Sequence, residues 1–109
     1  MNKSFHINAD VGEGFGIEAE IMPLIDSCNI ACGGHAGTKE EITRAIVIAK
    51  KNDIKIGAHP SYPDFKNFGR ISMEITPDKL YESLKKQIKS VLHHSSFTLN
   101  HVKAHGALY

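Results

Sequence analysis

The sequence predicts an α/β fold with a parallel sheet, on the basis of three observations. Short apolar runs that suit β-strands alternate with helical patterns along the whole chain, which is typical of right-handed βαβ units. Histidine or carboxylate residues stand where each predicted strand stops. The 109 residues suffice for one hydrophobic core, so we expect a single domain over 1–109.

The N-terminal part of the chain is predicted to form a strand, a short helix and a second strand. Apolar and polar residues alternate over 5–11 and are followed by a glycine-rich loop. Residues 19–27 have helical spacing, but Pro23 limits them to a short helix or turn. The next apolar run, 28–32, stops at two glycines and is predicted to be the second strand.

A well-marked helix separates the second strand from the third. Thr38 and Glu41 form a T-x-x-E capping box, which predicts that the helix begins at Thr38. An apolar stripe follows, and lysines at 50 and 51 suit the negative end of the helix dipole. Residues 54–59 are predicted to be the third strand because they form a short apolar run that ends at a proline.

The C-terminal part of the chain is predicted to contain a long loop, a helix and a fourth strand. Connections as long as 60–75 are uncommon in compact domains and are often functional. Thr76 and Pro77 suit the N-cap and first position of a helix. The apolar positions of that helix predict a buried face made of Leu80, Leu84, Ile88, Val91 and Leu92. Residues 99–105 are predicted to be the fourth strand.

Composition excludes several classes of function. Thirteen Lys and Arg balance twelve Asp and Glu, so there is no electrostatic basis for binding nucleic acid or an anionic membrane. The sequence shows neither a signal peptide nor a transmembrane segment, from which we expect a cytoplasmic protein. Cys28 and Cys32 lie too far apart along a strand for a disulfide, so we interpret both as buried free thiols.

Chemically versatile side chains gather at the predicted strand ends. In open parallel sheets and in barrels, chemistry collects at the carboxyl ends of the strands. The candidate catalytic residues are Asp10, Glu13, His35, His59 and His105. Three interpretations stay open. The carboxylates and imidazoles could bind a divalent metal, act as general acids and bases, or be structural residues bonded to the backbone.

Three further residues are candidates for substrate binding. Asp64 and Arg70 lie in the long loop, and Arg70 could hold a substrate carboxylate through paired hydrogen bonds. Lys103 lies two residues before His105 and therefore on the same face of the fourth strand. Glu13 stands between two glycines, but the loop is not a phosphate-binding motif, so the chain alone gives little support for nucleotide binding.

Five motifs in order also resemble the LamB/YcsF family. They are Asn8-x-Asp10-x-Gly12-Glu13, Asn29-Ile30-Ala31-Cys32-Gly33-x-His35-Ala36-Gly37, Gly57-Ala58-His59-Pro60-Ser61-Tyr62-Pro63-Asp64, Phe68-Gly69-Arg70, and Val102-Lys103-x-His105-Gly106-Ala107-Leu108-Tyr109. Ala104 departs from the pattern, since the family usually has Pro there.

The resemblance implies both a fold and an activity. The fold would be a TIM-like (β/α) barrel of the glycoside hydrolase/deacetylase type, often described as seven-stranded. The activity would be that of the A component of an ATP-dependent 5-oxoprolinase, which hydrolyses 5-oxo-L-proline to L-glutamate with ATP and B and C subunits. Deacetylase-like relatives hold a metal with one Asp and two His, and Asp10, His35 and His59 could do so here.

The chain is short for that fold. A complete barrel takes about 250 residues, so four βα units amount to an N-terminal portion with two unpaired sheet edges. We therefore expect an incomplete barrel domain over 1–109 that pairs with the missing half or with copies of itself. Besides the enzyme component, two functions stay open: a non-catalytic barrel fragment that binds a carboxylic acid or a partner, and a metal-dependent deacetylase-like hydrolase.

Overall fold

The computed structural model describes residues 5–109, which contain four strands and three α-helices. In chain order these are β1 (Asn8–Val11), α1 (Glu18–Ile21), β2 (Ser27–Ala31), α2 (Lys39–Lys51), β3 (Lys55–His59), α3 (Pro77–His94) and β4 (His101–Val102). Two single 3₁₀ turns follow α1 and β4, at Met22–Leu24 and Gly106–Leu108.

The strands form one sheet in the order β1-β2-β3-β4, and every neighbouring pair is parallel. The predicted α/β class with a parallel sheet is therefore confirmed. Because the order is sequential and the strands are parallel, their carboxyl ends lie along one edge of the sheet. Among the described strands, β1 and β4 each have a single neighbour.

The two faces of the sheet differ in polarity. One face packs against α2 and α3, and its buried core includes Val11, Ile30, Ile56 and Val91. The opposite face carries the alternate residues of each strand, which include Asn8, Asp10, Asn29 and His101. The Asn29 side chain joins three strands, since it donates to Asn8 Oδ1 at 3.1 Å and is 2.7 Å from His101 Nε2.

The helix signals are confirmed at both long helices. Thr38 accepts a hydrogen bond from Glu41 N, and the Glu41 side chain accepts one from Thr38 N, so the capping box is complete. Thr76 caps α3 and Pro77 is its first residue. The predicted buried face of α3 is only partly buried. Val91 is enclosed, the four leucine and isoleucine positions are half-buried, and Gln87 is the other fully buried residue.

The strands are shorter than predicted at both edges of the sheet. β1 begins at Asn8 rather than at residue 5, and β4 contains two residues rather than seven. The backbone beyond β4 nevertheless stays bonded to the end of β3, since Lys103 N donates to Ala58 O and His105 N to Pro60 O, both at 2.9 Å. Over 5–109 no helix is long and apolar enough to cross a membrane.

Candidate active site

Three buried histidines meet beyond the carboxyl ends of the strands. His59 is the last residue of β3, while His35 and His105 follow β2 and β4. His35 and His59 are each 1% exposed and His105 is 7% exposed. The rings of His35 and His105 stack with their centroids 3.6 Å apart, and both rings meet His59 edge to face.

His35 is held at both ring nitrogens. Its Nε2 is 2.7 Å from Glu13 Oε2, and its Nδ1 is 2.9 Å from Ser61 Oγ. Glu13 lies in the turn after β1, where Gly12 and Gly14 have positive φ angles that glycine adopts readily. The glycine-rich turn thus brings a carboxylate from one strand end to an imidazole from the next.

His59 and His105 are each anchored by a backbone carbonyl. His59 Nδ1 is 2.7 Å from Lys103 O, and His105 Nε2 is 2.8 Å from Phe68 O. Since a carbonyl oxygen only accepts, the anchored nitrogen of each ring carries the proton. The other two nitrogens, His59 Nε2 and His105 Nδ1, face each other at 3.2 Å. Burial lowers the pKa of His105 and so favours its neutral form, while the bond to Phe68 O opposes this.

Asp10 lies at the open side of the histidine cluster. Its Oδ1 accepts hydrogen bonds from Lys103 Nζ at 3.1 Å and from Asn29 Nδ2 at 3.0 Å, and its Oδ2 is 3.4 Å from His59 Nε2. The hydrogen bond to His59, more than any other contact, holds the pKa of this carboxyl well below its ordinary value, so Asp10 is anionic at neutral pH. Partial burial acts in the opposite direction but is the smaller effect.

An open pocket of about 400 Å³ gives access to this arrangement. Asp10, His59 and His105 line it together with Lys103 and Tyr109. Glu13, the fourth member of the buried cluster, lies deeper, and its side chain is 11% exposed. A small molecule in the pocket would therefore meet a carboxylate, a lysine and the edge of the imidazole cluster.

Two predicted substrate residues lie apart from the pocket lining. The Asp64 carboxylate accepts hydrogen bonds from the backbone and side-chain nitrogens of Asn67, which shapes the long loop from within. Arg70 is exposed, and its guanidinium carbon lies 5.3 Å from the centre of the Phe68 ring. Lys103 is the predicted substrate residue that lines the pocket.

Several residues that shape the site were not singled out from the sequence. Ser61 is fully buried, bonds His35, and is itself held by the Gln87 amide, which pairs with both backbone groups of Ser61 at 2.9 Å. Phe68 packs edge-on against His35 and His105. Gly69 has a φ of +64°, and a Cβ there would lie 3.0 Å from the Cβ of His35.

The two cysteines lie on the helix side of the sheet. Cys28 belongs to β2 and Cys32 follows it, and both are buried free thiols as predicted. Burial raises the pKa of each to about 12, so neither is a thiolate at neutral pH.

Comparison with known proteins agrees with the motifs around this site. The sequence model of the LamB/YcsF family matches residues 5–109. The chain belongs to this family. That confirms the resemblance predicted from the five motifs, all of which lie within the matched residues.

This member of the LamB/YcsF family is similar to proteins named as the A subunit of 5-oxoprolinase. It is 44% identical to the one from Histophilus somni strain 129Pt over 98% of this chain and 44% of that protein. It is 42% identical to one from Staphylococcus epidermidis over the whole chain and 46% of that protein. The chain thus spans less than half the length of these curated relatives.

A solved structure resembles the fold closely. The lactam utilization protein from Thermus thermophilus superposes with a TM-score of 0.89 at 39% sequence identity. The match covers 98% of this chain and 47% of that protein.

Proposed function

We propose that this chain supplies the catalytic pocket of a 5-oxoprolinase A component, which hydrolyses 5-oxo-L-proline to L-glutamate. The observation that carries the proposal is the convergence of Asp10, Lys103 and three buried imidazoles beside one open pocket. The names of the relatives support a cyclic amide as the substrate. The expected catalytic residues are Asp10, Glu13, His35, His59 and His105.

Opening a lactam adds one water molecule across the amide C–N bond. The water oxygen bonds to the carbonyl carbon and loses a proton, the C–N bond breaks, and the ring nitrogen gains a proton to leave as an amine. The reaction therefore needs a proton acceptor next to the water, a group that polarises the carbonyl, and a proton donor next to the nitrogen.

The pocket provides groups for each of these tasks. Asp10 is anionic and borders the pocket, so it accepts the proton from water. Lys103, 3.1 Å from Asp10, carries the positive charge that a substrate carboxylate or a leaving nitrogen requires. The buried imidazoles and Glu13 lie behind Asp10, where they polarise the carbonyl. Arg70 is the second candidate for the substrate carboxylate, approaching from the long loop.

ATP hydrolysis is assigned to the assembled complex. The glycine-rich turn after β1 carries Glu13 towards the cluster and lies next to Asp10, and these two carboxylates would repel a phosphate. Coupling to ATP and pairing with B and C subunits are inferred from the relatives, which are named as one lettered subunit of a larger enzyme. A cytoplasmic location fits the use of ATP and a small metabolite.

The sheet is proposed to be the first half of a (β/α) barrel. Four parallel strands in sequential order, with helices on one face and a polar opposite face, are the arrangement that such a barrel repeats. The close match to 47% of the Thermus thermophilus protein supports this interpretation. Residues 1–109 would then be one incomplete barrel domain, whose edge strands pair with further strands or with a second copy of the chain.

Turnover of 5-oxo-L-proline tests the function. The chain is assayed with MgATP and with B and C subunits, and glutamate formation is followed for the unchanged protein, Asp10→Asn, and Asp78→Asn as the matched control. Asp78 is an exposed residue of the first turn of α3. Removing a general base costs about 10²–10⁴-fold, so Asp10→Asn should lose at least about a hundredfold in kcat while the control keeps its rate.

Two results contradict the proposal. If the unchanged assembly forms no glutamate but the chain binds 5-oxo-L-proline, the pocket belongs to a non-catalytic binding module. If Asp10→Asn turns over as fast as Asp78→Asn, the assigned proton acceptor is wrong.

A further inference from the structure

We infer that Glu13, His35, His59 and His105 form a binding site for one divalent transition-metal ion. Each residue offers one donor atom, and the four atoms lie within 4.8 Å of one another. This site is independent of which substrate the pocket accepts. It also differs from the set implied by the family resemblance, because Glu13 and His105 contribute and Asp10 does not.

The decisive observation is a pair of facing nitrogens. His59 and His105 each place their only ring proton of the neutral form on a backbone carbonyl, at Lys103 O and Phe68 O. Their remaining nitrogens are lone pairs, yet they lie 3.2 Å apart in an interior from which water is excluded. Two lone pairs at that distance repel unless a cation or an added proton lies at the same place.

The acidic groups around this point add further lone pairs. Glu13 Oε2 lies 3.9 Å from His105 Nδ1, and Asp10 Oδ2 lies 3.4 Å from His59 Nε2. The nearby ammonium of Lys103 is directed to the other oxygen of Asp10, at the pocket side. Acceptors therefore outnumber donors at the centre of the cluster. Such a centre favours a bound cation.

The partners on the outer side of each ring are those that metal-binding histidines use. A histidine ligand almost always passes its second N–H to a carbonyl, carboxylate or other acceptor, which fixes the ring and its tautomer. His59 and His105 use carbonyls for this purpose, and His35 Nδ1 is 2.9 Å from Ser61 Oγ. The Gln87 amide holds the backbone on both sides of Ser61, so the third imidazole is fixed as well.

The donor types and distances define the class of ion. Imidazole nitrogens and one carboxylate suit borderline divalent ions such as Zn²⁺, Co²⁺ or Mn²⁺ rather than Ca²⁺ or Mg²⁺. Metal–nitrogen bonds of about 2.1 Å place opposite ligands roughly 4.2 Å apart, only slightly closer than the 4.8 Å span of the four donors. When bound, such an ion would polarise a carbonyl oxygen or acidify a water next to the Asp10 carboxylate.

Metal binding can be measured without any substrate. The full chain is stripped with a chelator and dialysed against Zn²⁺ or Co²⁺ at about pH 7.5, where unprotonated imidazole predominates. Bound metal is counted by mass spectrometry, and the visible spectrum of the Co²⁺ form is recorded. We expect one ion per chain, a rise in Tm when Zn²⁺ is added, and a Co²⁺ spectrum with nitrogen ligation.

Three variants separate this site from adventitious binding. Glu13→Gln keeps the size of the side chain but removes the charge, and His105→Asn removes a ligand; each should lower the affinity at least about tenfold. His93→Asn is the matched control because it removes an exposed imidazole at the end of α3, and it should bind like the unchanged chain. Asp10→Asn should also keep its metal, because Asp10 is not among the four donors.

The outcomes are unambiguous. Loss of binding in Glu13→Gln, with an unchanged far-ultraviolet circular dichroism spectrum, supports the site even if His105→Asn fails to fold. Substoichiometric metal in the unchanged chain, or equal affinity in Glu13→Gln and His93→Asn, overturns it. In that case a proton shared between His59 and His105 accounts for their short separation.

Discussion

Replacing Gly106 with alanine should destabilise the fold by more than its backbone angle alone explains. Gly106 has a φ of +61°, and a Cβ there would overlap the carbonyl oxygen of Gly69 and lie 3.0 Å from its carbon. Gly69 in turn packs against His35 and His105, so the wall of the site cannot retreat freely. The Gly69 carbonyl also accepts a hydrogen bond from Ala107 N at 2.9 Å, which any displacement would weaken.

The magnitude follows from two contributions. Placing a Cβ in the left-handed region costs about 1–2 kcal/mol. Crowding a packed position adds about 1–3 kcal/mol. Gly106→Ala should therefore lose about 2–5 kcal/mol of unfolding free energy. Gly16→Ala is the matched control, because Gly16 has a φ of +68° but nothing within 4 Å of its Cβ position, and it should lose only the first contribution.

Urea unfolding followed by circular dichroism measures both variants against the unchanged chain. Equal m-values would show that the comparison concerns the folded state rather than the compactness of the unfolded chain. If Gly106→Ala loses no more stability than Gly16→Ala, the contact between Gly106 and Gly69 carries no weight, and the reasoning about this wall of the site is wrong.

Two further predictions concern ionisation. Since the pKa of Cys28 and Cys32 is raised to about 12, we expect a disulfide-exchange reagent at about pH 8 to modify neither thiol in the native chain and both in urea; rapid native labelling would contradict their burial. The pKa of Asp10 is lowered from 3.8, chiefly by its hydrogen bond to His59, so its ionised form stabilises the fold above that pH and the benefit is lost as pH falls through the folded-state pKa. The stability advantage of the unchanged chain over Asp10→Asn, measured by urea unfolding, should therefore shrink between about pH 6 and about pH 2, and a constant difference would refute this.

The topology was predictable because its signals are local. Strand and helix periods alternate along the chain, and Thr38 and Thr76 mark the starts of both long helices. The gathering of His35, His59 and His105 was also foreseeable, since parallel strands bring their carboxyl ends to one edge. The lengths of the edge strands were not, because β1 and β4 each bond to one neighbour, and the sequence does not show how far that single pairing extends.

The contacts within the site depend on loop conformations that no periodic pattern specifies. The carbonyl of Phe68 that anchors His105 belongs to the long loop, and its direction is set by the positive φ of Phe68 and Gly69. The carboxylate of Glu13 reaches His35 because of the turn after β1. Residue types alone name these side chains as candidates, but they do not say which carboxylate meets which imidazole.

Gln87 shows that part of this information was nevertheless present in the sequence. It lies three residues after Leu84 and four before Val91, so it occupies the apolar face of α3 by helical spacing. A buried amide is costly unless it is hydrogen-bonded, so a glutamine at that position implies a polar partner across the interface. The partner is the backbone of Ser61, next to the end of β3, and Ser61 in turn bonds His35. A polar residue on an apolar helical face is therefore a signal for the buried support of a site, even where the loop it supports has no pattern of its own.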